Sequence, residues 1–471
     1  MKLILFKMLI VFGIAVISIT SCQKDESVMQ DVSEYETLNL KSAKTQNFIV
    51  LSKSETLPHA LVKELSNYGE VVRSIPEIGL IVVKTSNSRF EKQVARLANV
   101  KSVVPDLVIK CIEPVNYTVN GNPLSIGSNE PYFDIQWGLD AINAPEAWNA
   151  GYTGKGVKVF ILDSGIDAGH PDISPNLNTA LCKSFIDGED YSAASGFYFH
   201  HGTHVAGIIA AVDNQFGIIG VAPNAEMVAV KVLSEYTGSG PFSGINAGIV
   251  YAANNGADVI NMSLGVTFNK NGFYRDENNK LQKVPAVYIM QYVLAQKRAV
   301  DYAFKKGAVI VTSAGNDGQN ADGNGSLIIL PADLSNVIAV SATAPDYWVN
   351  DYINGTPDVN FDIPASYTNM GKSLIDIAAP GGDFDFYDAP YWHYDMVLST
   401  ICGGWGWAAG TSMASPHVAG VAALIIAKNG GKMPPQEVTK QLLITADKIG
   451  TKGKSPFFGK GRLNAFRAVT E

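Results

Sequence analysis

Three short segments of the sequence carry side chains suited to nucleophilic catalysis. The apolar run 159–162 ends at Asp163, His201 opens the sequence His-Gly-Thr-His-Val-Ala-Gly, and Ser412 lies in Gly-Thr-Ser-Met-Ala-Ser-Pro. A serine hydroxyl becomes a strong nucleophile when an imidazole removes its proton, and a buried carboxylate must hold that imidazole in one tautomer. These residue types therefore predict a Ser-His-Asp catalytic triad for acyl transfer.

Acyl transfer also needs hydrogen-bond donors that face the developing oxyanion. Asn316 follows the apolar run 309–312, and Ser412 begins a predicted helix whose unpaired backbone amides favour negative charge. We therefore expect the Asn316 side chain and the Ser412 backbone amide to form an oxyanion hole. Taken singly, Asp163 has the alternative interpretation of a helix cap, and Asn316 that of a turn residue.

The other histidines near these motifs have structural interpretations. His200 is adjacent to the motif but does not precede its Gly-Thr, so we interpret it as a surface neighbour. His204 forms a His-x-x-His pair with His201, but the pair lacks the glutamate and the i+4 spacing of a zinc helix. We expect His204 and His417 to be packed. The residues around Ser412 lack the last glycine of Gly-x-Ser-x-Gly, which disfavours a lipase-type elbow.

The elements that must position these residues are strands and helices in alternation. From residue 131 onwards, apolar runs typical of buried strands are separated by helical patterns; the runs are 157–162, 228–233, 259–262, 309–312 and 337–340. This alternation predicts an α/β fold, a doubly wound and mostly parallel sheet with helices on both faces. Reactive groups gather at the carboxyl ends of such strands, where Asp163 and Asn316 fall.

A smaller domain precedes this region. Residues 46–111 contain strand-like runs at 47–51 and 78–83, helical spacing at 57–68 and 89–97, and a last strand at 103–109. The order β-α-β-α-β predicts a small α+β domain. Residues 112–129 are rich in Gly, Asn, Pro and Ser and are typical of a linker, so the catalytic domain is expected at 130–471.

The N-terminus has the features of an export signal. Residues 1–21 carry two lysines before a short apolar stretch, and the sequence Ile-Thr-Ser-Cys ending at Cys22 resembles the lipoprotein box of bacteria. An ordinary signal peptide is the alternative. Residues 22–45 are polar and are expected to be a tether. We therefore expect an exported lipoprotein held at the outer membrane by acyl chains; residues 23–26 resemble a surface-export signal and leave display at the cell surface open.

Composition excludes several classes of protein. With 471 residues, 46% apolar and 17% charged positions, the chain is expected to be globular, and a net charge of −8 without basic blocks argues against nucleic-acid binding. Beyond Cys22 there remain three cysteines, an odd number that rules out a complete disulfide framework. If Cys111 leaves during processing, Cys182 and Cys402 could pair; otherwise both are expected as buried thiols.

The motifs resemble, in chain order, the signatures of the subtilisin-like (subtilase) family of serine proteases. The matches are Asp-Ser-Gly-Ile-Asp at 163, His-Gly-Thr-His-Val-Ala-Gly at 201, Ala-Gly-Asn ending at 316 and Gly-Thr-Ser-Met-Ala-Ser-Pro-His-Val-Ala-Gly at 410. The resemblance covers residues 131–468 and implies a monomeric serine endopeptidase acting on proteins or peptides, with no cofactor for catalysis. Residues 46–111 are similar to the family's propeptide, which has a ferredoxin-like fold, assists folding and inhibits the enzyme. This implies a zymogen that is cleaved within 112–129.

The resemblance also implies a substrate groove. Two segments are similar to the strands that pair with an extended substrate backbone in this family: Gly238-Ser239-Gly240 and Ser263-Leu264-Gly265. Backbone pairing implies broad sequence tolerance, and we expect an apolar or aromatic preference at the residue before the scissile bond. Residues 267–285 and 383–394 are interpreted as insertions that narrow the cleft or bind a partner.

A structural calcium ion is the one metal that the resemblance implies. Calcium takes six to eight oxygen ligands from carboxylates, amides and carbonyls. The positions that match the family's tight site are Glu130, Asp172, the Asn214 side chain and the carbonyls of Val212, Phe216 and Ile218. Glu130 stands where the family usually has an aspartate. The alternative is a plain polar loop.

Two other functions remain open on the sequence alone. A catalytically silent surface-binding protein could use the same fold, and a different serine hydrolase such as an esterase could use the same triad. Labelling by a serine-directed phosphonate separates the first from an enzyme. Comparison of casein with nitrophenyl ester turnover separates the second.

Overall fold

The computed structural model describes residues 45–111, 130–193, 200–323, 325–348, 360–384, 391–450 and 453–471, and the backbone of residues 36–37 and 116–117. These residues all belong to one compact unit, Tyr35–Glu471. The predicted signal peptide, Cys22, the tether apart from residues 36–37 and 45, the linker apart from the backbone of residues 116–117, and residues 385–390 of the second predicted insertion lie outside the described residues.

The elements are numbered in chain order. The N-terminal region contains β1 (Glu36–Thr37), β2 (Gln46–Ser52), α1 (His59–Leu65), β3 (Glu70–Ile75), β4 (Leu80–Thr85), α2 (Phe90–Val94), β5 (Val100–Pro105), β6 (Val108–Lys110) and β7 (Asn116–Tyr117). The larger region begins with α3 (Trp137–Ala141), α4 (Ala144–Asn149), β8 (Lys158–Asp163), β9 (Lys183–Ser184), α5 (His201–Ala210), β10 (Glu226–Lys231), β11 (Ser239–Pro241), α6 (Phe242–Asn254), β12 (Val259–Met262), β13 (Val266–Asn269), β14 (Phe273–Arg275), β15 (Leu281–Lys283) and α7 (Ala286–Lys305). It continues with β16 (Val309–Ser313), β17 (Leu327–Leu330), β18 (Ile338–Ala344), β19 (Ile363–Pro364), β20 (Ile377–Pro380), β21 (Val397–Ile401), β22 (Gly404–Ala408), α8 (Thr411–Lys428), α9 (Pro435–Thr445) and α10 (Ala465–Thr470).

A mostly parallel sheet forms the centre of the larger region. Its strand order is β19-β18-β16-β12-β8-β10-β9, with β20 also paired to β18. Strands β8, β10, β12 and β16 pair in parallel register and are almost entirely buried, as expected for strands covered on both faces. The predicted doubly wound α/β fold is confirmed.

Helices cover both faces of this sheet. One apolar core contains the buried side chains of α5 and α8 and one face of the sheet, and a second core contains those of α6 and α7 and the opposite face. The first sixteen residues of α8, Thr411–Ile426, are buried, and many of them are Ala, Gly or Ser. Small side chains allow this helix to pass through the interior.

The N-terminal domain is an antiparallel sheet of order β3-β4-β2-β5. The side chains of one face pack with α1 and α2 in a separate small core, and those of the other face join the core of α6 and α7. The element order is β-α-β-β-α-β, the ferredoxin-like arrangement. The predicted order missed β3, because its sequence Glu-Val-Val-Arg-Ser-Ile leaves only Ile75 fully buried.

The predicted insertion at 267–285 forms small strands beside the sheet. Strand β13 pairs with β17. Strands β14 and β15 form a hairpin, and β15 also pairs with β1. Cys111, Cys182 and Cys402 are half-buried residues with free thiols, so Cys182 and Cys402 do not pair. Within the described part of the chain, no helix has both the length and the apolar character needed to cross a membrane.

Candidate active site

Asp163 is the last residue of β8 and is 1% exposed. Its Oδ1 accepts hydrogen bonds from the Ser164 backbone N–H at 2.7 Å and from His201 Nδ1 at 2.8 Å. These bonds hold the carboxylate at the carboxyl end of a buried strand. The bond to Nδ1 also fixes the imidazole tautomer, since it leaves Nε2 to act as the base.

His201 is the first residue of α5 and is 6% exposed, so it is packed but can be reached. The helix start lies very close to the turn after β8: a Cβ on Gly202 would collide with the Gly165 carbonyl oxygen. The Gly202 N–H donates to Ser164 Oγ at 3.1 Å. The glycine in the motif therefore permits the close approach of His201 to Asp163.

Ser412 is the second residue of α8 and is 7% exposed. Ser263, which follows β12, donates from its Oγ to the Ser412 carbonyl oxygen at 2.8 Å and is 2.8 Å from Ser415 Oγ. Since β12 and β8 are neighbouring strands, this bond places Ser412 at the end of the strand next to the one that carries Asp163. The three predicted triad residues thus gather at one edge of the sheet.

The Ser412 hydroxyl donates to the Ser263 carbonyl oxygen at 3.3 Å. No hydrogen bond joins it to His201 among the residues that the structure describes. In serine enzymes without substrate, the bond between nucleophile and base is often long and tightens only in the reacting complex. The arrangement is therefore compatible with a nucleophile that rotates towards His201 when substrate binds.

Asn316 is anchored at the start of α8. Its Oδ1 accepts from the Thr411 backbone N–H at 2.9 Å and from Thr411 Oγ1 at 2.7 Å. The amide nitrogen consequently lies on the side of Gly410 and the helix N-terminus. There it can act together with the backbone amide of Ser412, as the sequence predicts. Thr411, which holds Asn316, was not singled out from the sequence.

Of the neighbouring histidines, His204 and His417 are buried and His200 is half-buried. Burial lowers the pKa of His204 to about 3, and its Nε2 lies 3.1 Å from the carbonyl oxygens of Val397 and Gly406. Burial likewise lowers the pKa of His417 to about 4. His200 Nδ1 accepts from the Cys402 backbone N–H at 3.2 Å. These contacts agree with the predicted packing roles of His204 and His417, whereas His200 is tied to the Cys402 turn.

A buried ion cluster lies next to the triad. Lys231 ends β10 opposite Asp163 in register, and its Nζ lies 2.9 Å from both Glu189 Oε2 and Glu235 Oε1. The lysine is fully buried. This cluster was not predicted from the sequence, although Lys231 interrupts the apolar run 228–233. A lysine in a buried strand needs carboxylate partners, so its position could have indicated the cluster.

The two predicted groove segments hold a strand of the chain itself. Strand β6 pairs antiparallel with β11, with Ile109 opposite Gly240 and Lys110 opposite Ser239. Cys111 continues this strand: its N–H donates to the Gly238 carbonyl oxygen at 3.4 Å, and its carbonyl oxygen accepts from the Gly265 N–H at 3.3 Å. Ile109 also forms an antiparallel bridge to Asp276 of the predicted insertion.

Cys111 lies close to the triad. Burial raises the pKa of its thiol well above the usual range, and the nearby Asp163 carboxylate adds to this shift. The last residues of the N-terminal domain therefore pair with both predicted groove segments in the manner of an extended peptide.

Polar contacts fix the N-terminal domain to the two helices beneath it. Asp106 accepts from Ser243 Oγ at 2.6 Å and from the Ser243 N–H at 3.2 Å, at the start of α6. From α7, Tyr292 donates to the Pro105 carbonyl oxygen at 2.9 Å, and Arg298 donates to the carbonyl oxygens of Ser52 and Ile78 at 3.2 Å.

The predicted calcium ligands converge on the loop after α5. Glu130 accepts from the backbone N–H groups of Asn214, Gln215 and Phe216 at 2.6 to 2.8 Å. Asp172 accepts from the Ile218 N–H at 3.1 Å, from the Asn214 side chain at 3.2 Å and from the Trp405 indole at 2.8 Å. Both carboxyls are buried, and burial raises the pKa of each.

These donors fit calcium by their chemistry. No group of three or more acidic, histidine or cysteine side chains arranged for a metal occurs in the described residues, so the site rests on two carboxylates, one amide and backbone carbonyls. Hard oxygen donors of this kind suit calcium. A cation among them would offset the cost of burying the Glu130 and Asp172 carboxylates.

Comparison with known proteins shows the family. The family model described as Subtilase family (Peptidase S8) matches residues 154–461. The chain is 32% identical to a thermophilic serine proteinase of Bacillus sp. (strain AK1), over 93% of this chain and 91% of the relative. It is 36% identical to thermitase of Thermoactinomyces vulgaris, over 72% of this chain and 98% of the relative.

A solved structure has the same fold over nearly the whole chain. The epidermin leader peptide processing serine protease of Staphylococcus aureus superposes with a TM-score of 0.71 at 24% identity, over 90% of this chain and 98% of that one. The chain therefore belongs to the subtilase family. It is a subtilisin-like serine endopeptidase that acts on protein or peptide substrates.

Proposed function

We propose that this endopeptidase uses Ser412 as its nucleophile, His201 as general base and Asp163 as the carboxylate that orients His201. The observation that carries the assignment is the 2.8 Å bond from His201 Nδ1 to the buried Asp163, with Ser412 tied to the end of the adjacent strand β12.

The proposed reaction has two acyl transfers. His201 Nε2 removes the Ser412 proton as Oγ attacks the scissile carbonyl, and the same proton then passes to the leaving amine. A water molecule hydrolyses the acyl-enzyme by the reverse use of the same groups. Asn316 and the Ser412 backbone N–H donate to the oxyanion in both steps, because Thr411 holds the Asn316 amide in place beforehand.

The assignment predicts that Ser412→Ala abolishes both peptide hydrolysis and self-maturation. A serine-directed phosphonate should label the wild type and not this variant. The matched control is Ser335→Ala, which removes an exposed hydroxyl away from the triad and should leave labelling intact. Labelling of Ser412→Ala, or its appearance at mature size in a protease-free host, would contradict the assignment.

Residues 46–111 act, in our proposal, as an inhibitory propeptide. Their sheet shares a core with α6 and α7, and β6 occupies the groove beside the triad. Substrate cannot enter while β6 is in place. Cleavage is expected within 112–129, and residues 46–111 added in trans should inhibit the mature enzyme. Mass spectrometry of the active enzyme should show Asn47 no longer covalently attached.

A calcium ion at Glu130, Asp172 and Asn214 is proposed to stabilise the mature N-terminus. The carbonyls of Val212, Phe216 and Ile218 complete the predicted set. Binding would require some N–H donors to turn away from Glu130 and Asp172. The ion would stabilise the folded chain and take no part in catalysis.

The enzyme is proposed to be an exported lipoprotein of the outer membrane. Its support is the sequence ending at Cys22, which resembles a lipoprotein box. Acylation of Cys22 would supply the membrane anchor once the signal peptide has been removed.

A further inference from the structure

Trp405 connects the proposed calcium site to the hairpin that precedes the nucleophile. It lies in β22, where it pairs with Thr400 of β21, and β22 leads through Gly410 into α8. Its indole Nε1 donates to Asp172 Oδ2 at 2.8 Å. Strand β22 is therefore bonded directly to a side chain that is a proposed calcium ligand.

The indole fixes the orientation of the Asp172 carboxylate. Asp172 is fully buried, and its Oδ2 accepts from the Ile218 N–H at 3.1 Å as well as from the indole. Its Oδ1 faces the side chain of Asn214, another proposed ligand, and accepts from that amide at 3.2 Å. Without the indole, Oδ2 would lose one of the two donors that hold it.

The packing around the indole leaves it little freedom. Its ring meets three aromatic rings edge-on, at centroid distances of 5.2 Å to Tyr132, 5.3 Å to Phe216 and 5.5 Å to His170. A Cβ on Gly217 would lie 2.4 Å from both the indole ring and Asp172 Oδ2, at a φ of +85° that favours glycine. Glycine at this position therefore permits the indole to reach the carboxylate.

His170 supplies a second connection between the hairpin and Asp172. Its Nδ1 accepts from the Asp172 backbone N–H at 3.1 Å, so the ring proton lies on Nε2, which donates to the Gly404 carbonyl oxygen at 2.9 Å. The Gly403 N–H donates to Asp167 Oδ2 at 3.0 Å. With the indole bond, the β21-β22 hairpin is held at three points against the loop that follows β8.

We infer that Trp405 is a positioning residue for the proposed calcium ligand Asp172, and that through Trp405 a bound cation fixes the β21-β22 hairpin that leads to Ser412. This inference rests on the proposed calcium site. Hydrogen-bond partners that orient a ligating carboxylate contribute to metal affinity, and their loss typically weakens it about 10- to 100-fold. Because coupling between two sites is reciprocal, a cation that binds better with the indole bond in place must also stabilise that bond.

The test measures calcium binding by isothermal titration calorimetry with calcium chloride. The starting protein is the full-length chain with Ser412→Ala, in which self-cleavage is expected to be absent. The test variant adds Trp405→Phe, which keeps an aromatic ring but has no N–H. The matched control adds Trp348→Phe, because the Trp348 indole also donates a hydrogen bond, to the Tyr394 carbonyl oxygen at 2.6 Å. If Trp405→Phe does not fold, 3-benzothienylalanine at position 405 keeps the bicyclic shape and still lacks the donor.

Trp405→Phe should raise the Kd for calcium about 10- to 100-fold, whereas Trp348→Phe should leave it unchanged. Hydrogen exchange followed by mass spectrometry gives a second readout, on the hairpin itself. Saturating calcium should slow exchange in peptides from residues 397–408 of the starting protein, and this protection should be smaller in Trp405→Phe at its own saturation. A role of Trp405 in packing alone would change stability but not this calcium-dependent protection.

Each outcome has a defined meaning. An unchanged Kd in Trp405→Phe or in the benzothienylalanine protein, or an equal loss of affinity in Trp348→Phe, would overturn the orienting role. Exchange in residues 397–408 that does not respond to calcium in the starting protein would overturn the link to the hairpin. A starting protein that binds no calcium would overturn both the proposed calcium site and this inference, and would leave the triad assignment in place.

Discussion

The Asp106 carboxylate makes a specific prediction about inhibition by the propeptide. It accepts from the Ser243 N–H and hydroxyl, and Ser243 is the second residue of α6. Asp106 thus caps a helix of the catalytic domain from outside. Loss of a helix-capping side chain costs about 1 to 2 kcal/mol. Asp106→Ala in residues 46–111 should therefore weaken inhibition in trans about 5- to 30-fold.

The assay is the inhibition constant of added propeptide against the mature enzyme, measured with a chromogenic peptide. Glu70→Ala is the matched control, since Glu70 is an exposed acidic residue of β3 in the same domain. An unchanged inhibition constant for Asp106→Ala, or an equal loss for Glu70→Ala, would refute the capping argument.

The same carboxylate gives the inhibition a pH dependence. Burial raises the pKa of Asp106 in the complex, although the bonds from Ser243 and the nearby Arg73 guanidinium lower it in part. A group whose pKa rises on association contributes stability that is fully present below its free pKa and is lost as pH rises through its bound pKa. Inhibition by the wild-type propeptide should therefore strengthen on acidification, and Asp106→Asn should remove that component.

Three further predictions concern the other parts of the proposal. Asn316→Ala should fold normally and lose about 2.7 to 4 kcal/mol of transition-state stabilisation, which lowers kcat/KM about 100- to 1,000-fold, as for the oxyanion-hole amide of subtilisin. An unchanged kcat/KM would show that the Asn316 amide does not contribute to the oxyanion hole. In the mature domain of Ser412→Ala, the unfolding temperature should be higher in millimolar calcium than in EGTA, and the added substitution Asp172→Ala should abolish this difference. Equal unfolding temperatures in calcium and in EGTA, with Asp172 present, would contradict calcium binding. Cys22→Ala should release the protein from membranes, because the acyl chains on Cys22 are the proposed anchor. Equal amounts of the variant and of the wild type in the membrane fraction would contradict acylation.

The sequence was informative where one short segment determines both structure and chemistry. The apolar run that ends at Asp163 had to be a buried strand, and the glycine after His201 is required by the close approach to Gly165. The mostly parallel arrangement of the central strands was predictable from their alternation with helices, but their order in the sheet was not. The contacts that connect these segments were not predictable. Ser263 joins β12 to Ser412, a link across 149 residues that no local pattern contains.

The N-terminal domain shows where sequence patterns fail. The burial of strand β3 alternates, but Val72 lies on its exposed side and Arg73 on its inward side, so the sequence lacks the apolar-polar alternation by which a half-buried strand is recognised. Helices α1 and α2 are shorter than the helical spacing indicated, since their buried positions number only two each. The helices on which this domain packs could not be predicted from the sequence either. Its second apolar face is filled by α6 and α7, which lie more than a hundred residues further along the chain.

In the proposed zymogen, the covalent link between the two domains would let one interface serve both folding and inhibition. While residues 112–129 are intact, the propeptide is held near the groove at high effective concentration, so β6 competes successfully with any free substrate. Cleavage leaves the contacts of Asp106, Tyr292 and Arg298 unchanged but makes association depend on concentration. Inhibition should then fall with dilution or with degradation of the released domain. In the proposed zymogen, strand β6 therefore blocks the enzyme only as long as the rest of its domain remains docked on α6 and α7.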